Sequence, residues 1–271
     1  MEAVFLGASK GIGYFTVLNL LQNNQNWKAT LLLRKPDVFD DNHLIKPFIE
    51  NGRLRIVQGD AANEDDLKKL FEGKKVDLVM SSIGAAPQFG LSGIKIDQPD
   101  LCTRGSIALL HVLENLPQDV PPRVIVCSSM GIGEAHKDMP LAMRLLYSWL
   151  LDKPHQDKKS LEYLFHRSAI HLPTQTSPHD IPPESLLSKQ AIESTKANFL
   201  PEVIIVRPAF MPTEEPFDAV PGPKDKVGVE EGLSCYTIKR SDVGRFIIED
   251  CLPGEGTDDK WVNKCPVVGY I

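Results

Sequence analysis

The stretch Ala3-Val-Phe-Leu-Gly-Ala-Ser-Lys-Gly-Ile-Gly13, followed by the helical pattern Tyr14 to Leu21, determines the fold of this chain. The apolar run Ala3 to Gly7 predicts a buried strand, and glycines separate it from the helix. The first N–H groups of a helix lack internal partners and carry partial positive charge, and glycine lets a phosphate approach the backbone. A glycine turn can also be purely structural, but the strand and helix on its two sides favour a pyrophosphate site. Its expected contact residues are Gly7, Ser9, Lys10, Gly11, Ile12 and Gly13.

Composition limits the classes of partner. The chain has 271 residues, 42% of them hydrophobic, which is enough for one sizeable core, so we expect a single domain over residues 1–271. A net charge of -6 and the lack of a Lys/Arg run disfavour nucleic acid and anionic membranes as partners. Because a strand pattern begins almost at Met1 and no apolar run approaches about 20 residues, we expect a cytoplasmic protein.

Cysteine and histidine spacing indicates neither disulfides nor a metal site. The five cysteines are widely spaced and form no CxxC pair, which is typical of reduced thiols. The seven histidines form no HxH or HExxH pattern, so we expect no metal.

Strand and helix patterns alternate along the chain, which predicts an α/β fold of the Rossmann type: a doubly wound parallel sheet with helices on both faces. The predicted strands are Ala3 to Gly7, Ala29 to Leu33, Leu54 to Asp60, Val76 to Gly84, Arg123 to Ser129, Val203 to Pro208, and a last short one within Trp261 to Tyr270. The predicted helices are Tyr14 to Leu21, Asn63 to Phe71, Asp100 to Leu116, Leu141 to Leu151, Asp157 to His166, Ser185 to Ala197 and Ser241 to Glu249.

Two regions are expected to build the substrate side, at about residues 130–200 and 211–240, with a small C-terminal substrate region. His171 to Pro183 is polar and rich in proline, which predicts an exposed loop. Thr213 to Gly232 combines prolines, glycines and acids, which is typical of a mobile flap or substrate loop.

Residues after the second strand predict the choice of cofactor. NAD binding places an acid there for the ribose 2′-OH, whereas a 2′-phosphate requires cations. This chain has Arg34 and Lys35, with no acid before Asp37, and Lys10 can approach the same phosphate. The sequence favours NADP(H) over NAD(H), although Arg34 and Lys35 could also be a solvated strand end.

Further candidate residues follow the third and fourth strands, where ligands bind in open α/β sheets. Asp60 follows the third strand, and Ser82, Ile83 and Gly84 end the fourth. Gly59, Asp60 and Gly84 could each serve an ordinary turn, and only the joint placement of these residues indicates a site.

Several motifs together resemble the short-chain dehydrogenase/reductase superfamily over essentially the whole chain, and within it the atypical, NmrA-like branch. The motifs are Gly7-Ala-Ser-Lys-Gly-Ile-Gly13, Gly59-Asp60, Ser81-Ser-Ile-Gly84, Val124-Ile-Val-Cys-Ser-Ser129, Arg207-Pro208 and Arg240-Ser-Asp-Val-Gly244. The resemblance implies a Rossmann sheet with Asp60 and Ala61 at the adenine. It also implies Ser82, Ile83 and Gly84 along the adenine ribose, and Pro208 and Ala209 beside the nicotinamide.

The same resemblance implies a catalytic Ser, Tyr and Lys, with Tyr four residues before Lys. Ser129 and Lys158 match the serine and the lysine, but Pro154 stands in the tyrosine position. That phenol normally transfers the proton at the carbonyl oxygen, so another group must act as general acid. Lys158 itself, His155 and Tyr147 are the candidates. Lys158 could also be a solvated surface lysine and His155 an ordinary loop histidine before a helix, and Ser128 and Ser129 could cap the following turn.

The main functional hypothesis is an NADPH-dependent oxidoreductase acting on a small or medium organic carbonyl, alcohol or related substrate. The missing tyrosine keeps two alternatives open: a non-catalytic NADP(H)-binding sensor or interaction protein, and a non-redox isomerase, dehydratase or cyclase on the same fold. A small-molecule substrate is the expected partner, and the oligomeric state is not predicted.

Overall fold

The computed structural model describes residues 1–85, 88–90, 93–95, 97–144, 152–254 and 259–271. The strands are β1 (Glu2–Leu6), β2 (Lys28–Leu33), β3 (Leu54–Gln58), β4 (Leu78–Ser81), β5 (Gln88–Gly90), β6 (Gly93–Lys95), β7 (Arg123–Cys127), β8 (Val203–Pro208), β9 (Val227–Glu230) and β10 (Val267–Tyr270). The α-helices are α1 (Gly11–Asn23), α2 (Lys46–Glu50), α3 (Glu64–Lys68), α4 (Leu101–Glu114), α5 (Asp152–Ser168), α6 (Lys189–Ser194) and α7 (Arg240–Asp250). Short 3-10 turns cover Pro36–Phe39, Gly133–Asp138, Lys224–Lys226 and Asp259–Trp261.

The main sheet has eight strands in the order β3-β2-β1-β4-β7-β8-β10-β9. Every neighbouring pair is parallel except β10 with β9, which is antiparallel and closes one edge. The order reverses between β1 and β4, and the crevice beside such a switch point is where open α/β sheets bind ligands. The predicted Rossmann-type fold is confirmed.

Helices cover both faces of the sheet, which explains why its central strands are apolar on both sides. In β1, Ala3 and Phe5 face one core with α1 and α7, and Val4 and Leu6 face a second core with α3, α4 and α5. All four side chains are buried. Alternate residues of one strand therefore bind the two helical layers together.

The structure corrects several predicted bounds. Helix α5 begins at Asp152 rather than Asp157, since proline is tolerated in the first helical turn and Pro154 is the third residue. The predicted helix Ser185 to Ala197 is shorter, because the Ser188 side chain accepts from Ala191 N and starts α6 at Lys189. Of the predicted helix Leu141 to Leu151, residues 141–144 are helical and residues 145–151 lie outside the described residues.

Two strand pairings were not predicted. β5 and β6 form a separate antiparallel pair in the loop after β4, and β9 lies within the predicted flap Thr213 to Gly232. Glycine in these stretches hid the strand pattern, and β9 is formed only because the distant β10 offers a free edge.

Within the described ranges, no helix combines the length and apolar character that a bilayer span requires. The same residues contain no group of three or more His, Cys, Asp or Glu side chains placed to hold a metal. All five cysteines are buried free thiols.

Candidate functional site

The glycine turn joins β1 to α1 at the carboxyl edge of the sheet. Gly7 and Gly11 have positive φ values of 75° and 64°, which glycine adopts without strain. A Cβ on Gly7 would stand 2.7 Å from Ile83 N, and one on Gly13 would stand 2.7 Å from Gly7 O. Gly7 and Gly13 are therefore required by close backbone packing. Gly11 instead lies next to a side chain, that of Arg240.

The first turn of α1 fits an anionic ligand. Lys10, the residue before the helix, is extended and provides no side-chain cap, and the first turn carries no acid among the described residues. By contrast, Asn63 caps α3, and the Asp157 carboxylate accepts from Cys102 N and Thr103 N at the start of α4, both at 2.8 Å. The amides of α1 thus keep their donor capacity and their dipole for a phosphate. These residues fit the pyrophosphate of a nicotinamide dinucleotide.

The end of β4 forms the opposite wall of this turn. Ser82 Oγ donates to Gly7 O at 3.0 Å, and Ser82 N donates to Leu6 O at 2.9 Å. Ile83 is buried, and Gly84 follows it. A Cβ added to Gly84 would stand 3.8 Å from Lys158 Nζ. The predicted residues of the first and fourth strands therefore lie together.

Lys158 connects the ends of two strands. It projects from α5 and its Nζ donates to Ile83 O at 2.8 Å and to Cys127 O at 2.6 Å. The interpretation of Lys158 as a solvated surface residue is wrong, because the side chain is half-buried and its ammonium is held by two carbonyls. Burial raises the pKa of the adjacent Cys127 thiol to about 12, although the positive charge of Lys158 acts to lower it. This cysteine therefore stays protonated and is no nucleophile.

Ser129 and His155 meet beyond the end of β7. Ser129 Oγ lies 3.3 Å from His155 Nε2, and both residues are half-buried. The expectation of a loop histidine at position 155 is wrong, because α5 starts three residues earlier and places His155 one helical turn before Lys158. Beside them, Ser128 Oγ is buried with no hydrogen-bond partner in the described part of the chain, and a bound ligand would satisfy such a group.

The remaining candidates spread along the same edge. Arg34 and Lys35 are exposed directly after β2. Asp60 and Ala61 follow β3, where Asp60 Oδ1 accepts from Ala62 N at 2.9 Å and so shapes the turn. Pro208 ends β8 and Ala209 is buried after it, with its N–H donating to Val268 O of β10. Tyr147 lies outside the described residues.

Sequence reasoning assigned no role to Arg240 or Glu214. Arg240 begins α7, and its Cδ is 3.3 Å from the position of a Cβ on Gly11. Glu214 binds Lys10, with Nζ and Oε1 2.6 Å apart. The motif Arg240-Ser-Asp-Val-Gly244 was visible in the sequence, but its approach to the glycine turn depends on the packing of α7 against α1, which Gly244 permits.

A glycine turn with free helix amides at the switch point of a parallel sheet defines a dinucleotide-binding protein of the Rossmann class. Residues 7–169 match the NAD(P)H-binding family, and the chain belongs to that family. The predicted resemblance to the short-chain dehydrogenase/reductase superfamily is confirmed at the level of the NAD(P)H-binding family and of the fold.

Three similar proteins illustrate the relationship. The reductase pytE of Aspergillus terreus is 28% identical over 98% of this chain and 97% of its own length. The oxidase pynE of Aspergillus niger is also 28% identical, over 96% of this chain and 95% of its own. The crystal structure of a short-chain dehydrogenase/reductase from Vibrio parahaemolyticus has a TM-score of 0.59 at 16% identity, covering 99% of this chain and 100% of that one, which shows the shared fold.

Proposed function

We propose that this protein is an NADPH-dependent oxidoreductase acting on a small or medium organic carbonyl or alcohol, and that His155 replaces the missing tyrosine as proton donor. The observation that carries the proposal is the contact between Ser129 Oγ and His155 Nε2 at 3.3 Å, one helical turn from Lys158. The names of the two fungal relatives, a reductase and an oxidase, support the redox class.

Each group has a separate task in carbonyl reduction. When bound, the nicotinamide cofactor supplies the hydride to the carbonyl carbon. Ser129 donates a hydrogen bond to the substrate oxygen and orients it. His155, as imidazolium, transfers its proton to that oxygen, so the alcohol forms and a neutral imidazole remains. The Lys158 ammonium, fixed by Ile83 O and Cys127 O, holds the nicotinamide ribose and adds positive charge at the site.

The expected cofactor subsites follow the same edge of the sheet. Lys10, Arg34 and Lys35 lie at the adenosine end and favour the 2′-phosphate of NADP(H) over the hydroxyl of NAD(H). Asp60 and Ala61 bind the adenine, Ser82 to Gly84 the ribose, and Pro208 with Ala209 the nicotinamide. Elements within about 130–200 and 211–240 line the substrate side of this single domain, which we assign to the NmrA-like branch and to the cytoplasm.

The test combines cofactor titration with a substrate panel. Calorimetry of the full chain with NADPH and NADH measures both affinities, and NADPH oxidation is then followed across aldehydes, ketones and quinones. With an active substrate, His155→Gln should lower kcat by about 10²–10⁴-fold while the dissociation constant for NADPH stays unchanged.

His171→Gln is the matched control, since His171 is an exposed histidine in the loop beyond α5. This variant should retain the rate. If His155→Gln also retains it, His155 is not the proton donor.

A non-catalytic NADP(H)-binding sensor is the second candidate, and the observation that favours it is Pro154 in the position of the family tyrosine. Tight NADPH binding without oxidation over the whole panel would support this candidate and contradict the proposed enzyme.

A further inference from the structure

A short segment of the predicted flap, residues 213–217, lies against the glycine turn; we call it the strap. Glu215 fixes it to α7, because its Oε1 accepts from Ser241 Oγ at 2.6 Å and its Oε2 accepts from the backbone N–H of Arg240. Phe217 fixes its far end, with a ring centroid 4.6 Å from that of Tyr14. Glu214, directly before Glu215, is thereby held beside Lys10.

Two cations beside the first turn of α1 contact the strap. Lys10 Nζ lies 2.6 Å from Glu214 Oε1, and Arg240 Nη1 donates to Thr213 O. Lys10 directly precedes the helix that presents its positive end here, and Arg240 lies over Gly11. The hydrogen bond and charge of Lys10 lower the pKa of the Glu214 carboxyl below its usual range, so this group is ionised at neutral pH.

The Lys10–Glu214 pair is exposed, with 61% and 73% of the two side chains accessible. An exposed ion pair is weak and exchanges partners readily. A 2′-phosphate carries nearly two negative charges and binds an ammonium more strongly than a carboxylate does. It cannot share Lys10 with Glu214 without repulsion, whereas the 2′-hydroxyl of NADH brings no charge to this point.

We infer that Glu214 is a selectivity residue of the cofactor site, whose carboxylate competes with the 2′-phosphate of NADPH for Lys10 and so moderates the preference for NADPH over NADH. The inference rests on the proposed cofactor function. Glu215 and Phe217 hold the strap after Glu214, and Arg240 holds Thr213 O before it, so NADPH needs to displace only the Glu214 side chain.

Binding measurements on full-length Glu214→Gln test this inference. Calorimetry at about 50 mM salt should show NADPH bound about two- to five-fold more tightly than by the unaltered chain, the factor expected for removing a weak competing ion pair. NADH affinity should change by less than about 1.5-fold, and the gain for NADPH should shrink at high salt because exposed charges are screened.

Asp218→Asn is the matched control, because Asp218 is an exposed acid of the same flap that lies beyond Phe217. It removes the same charge and should leave both affinities nearly unchanged. In a Lys10→Met background, most of the gain from Glu214→Gln should disappear, which shows that the effect acts through Lys10.

Two results would overturn the inference while leaving the proposed function intact. The first is unchanged NADPH affinity in Glu214→Gln. The second is weakened NADH binding, which would mean that Glu214 accepts the ribose 2′-hydroxyl instead. If the unaltered protein binds neither nucleotide, the proposed function itself fails.

Discussion

At the scale of single residues, glycine is required at different positions of the turn for different physical reasons. Gly7 is required twice: its φ is 75°, and a Cβ would stand 2.7 Å from both Ile83 N and Ser82 C. Both are backbone atoms of the two residues that follow β4, and they cannot rotate away as a side chain could. The close contact between β1 and the end of β4, rather than the ligand, therefore selects glycine at this position.

Gly7→Ala should lower the free energy of unfolding by about 2–5 kcal/mol, from left-handed strain together with overpacking against backbone. Urea denaturation measures this change. Gly73→Ala is the control, because Gly73 has a similar φ of 69° but no atom within 4 Å of its Cβ position. This control should cost only about 1–2 kcal/mol. Equal losses in the two variants would show that contact with β4 contributes nothing.

At the scale of elements, Asp157 of α5 joins two helices of one layer. Its carboxylate accepts from Cys102 N, Thr103 N and Thr103 Oγ1, all at 2.8 Å, and so caps α4 from another helix. The side chain is buried, so water cannot replace it. This cap also fixes the rotation of α5 that brings His155 and Lys158 to the ends of β7 and β4.

Asp157→Ala should lower the free energy of unfolding by about 1–3 kcal/mol, since a buried cap and its hydrogen bonds are lost. Amide hydrogen exchange should accelerate most at Cys102 and Thr103. Asn63→Ala removes an exposed cap from α3 and should cost only about 0.5–1 kcal/mol. If exchange at the start of α4 stays as slow as in the unaltered protein, Asp157 does not cap that helix.

At the scale of the whole molecule, Arg123 joins distant parts of the chain at the amino edge of the sheet, opposite the candidate site. Its guanidinium lies 2.7 Å from Glu202 Oε2 and 2.6 Å from Asp259 Oδ1, and it donates to the carbonyls of Cys251 and Leu252. The side chain is only 4% accessible. Arg123 thus connects the start of β7 with the end of α7 and the approach to β10.

Arg123→Met should lower the free energy of unfolding by about 1–3 kcal/mol, because two buried carbonyls lose their donor. NADPH affinity should be unchanged, since the glycine turn lies at the other edge. Lys224→Met removes an exposed pair with Glu249 and should change stability by less than about 0.5 kcal/mol. A large loss of NADPH affinity in Arg123→Met would contradict the separation of the two edges.

Local sequence patterns were sufficient to predict an element wherever residues close in sequence determine its structure. The glycine turn, the strands β1 to β4 and the position of Ser129 after β7 could be predicted, because apolar runs and glycine spacing express local geometry. The start of α5 was predicted at Asp157, although proline fits a first helical turn. The sequence therefore left His155 in a loop before the helix, where its approach to Ser129 could not be predicted.

The sequence by itself determined the α/β alternation and the glycine turn between β1 and α1. Only the tertiary structure decided that Ser129 and His155 are 3.3 Å apart, that Lys158 binds the carbonyls of Ile83 and Cys127, and that Glu214 reaches Lys10. These pairs are 26 to 204 positions apart along the chain. Their contact depends on the packing of helices on the sheet, which no local pattern records.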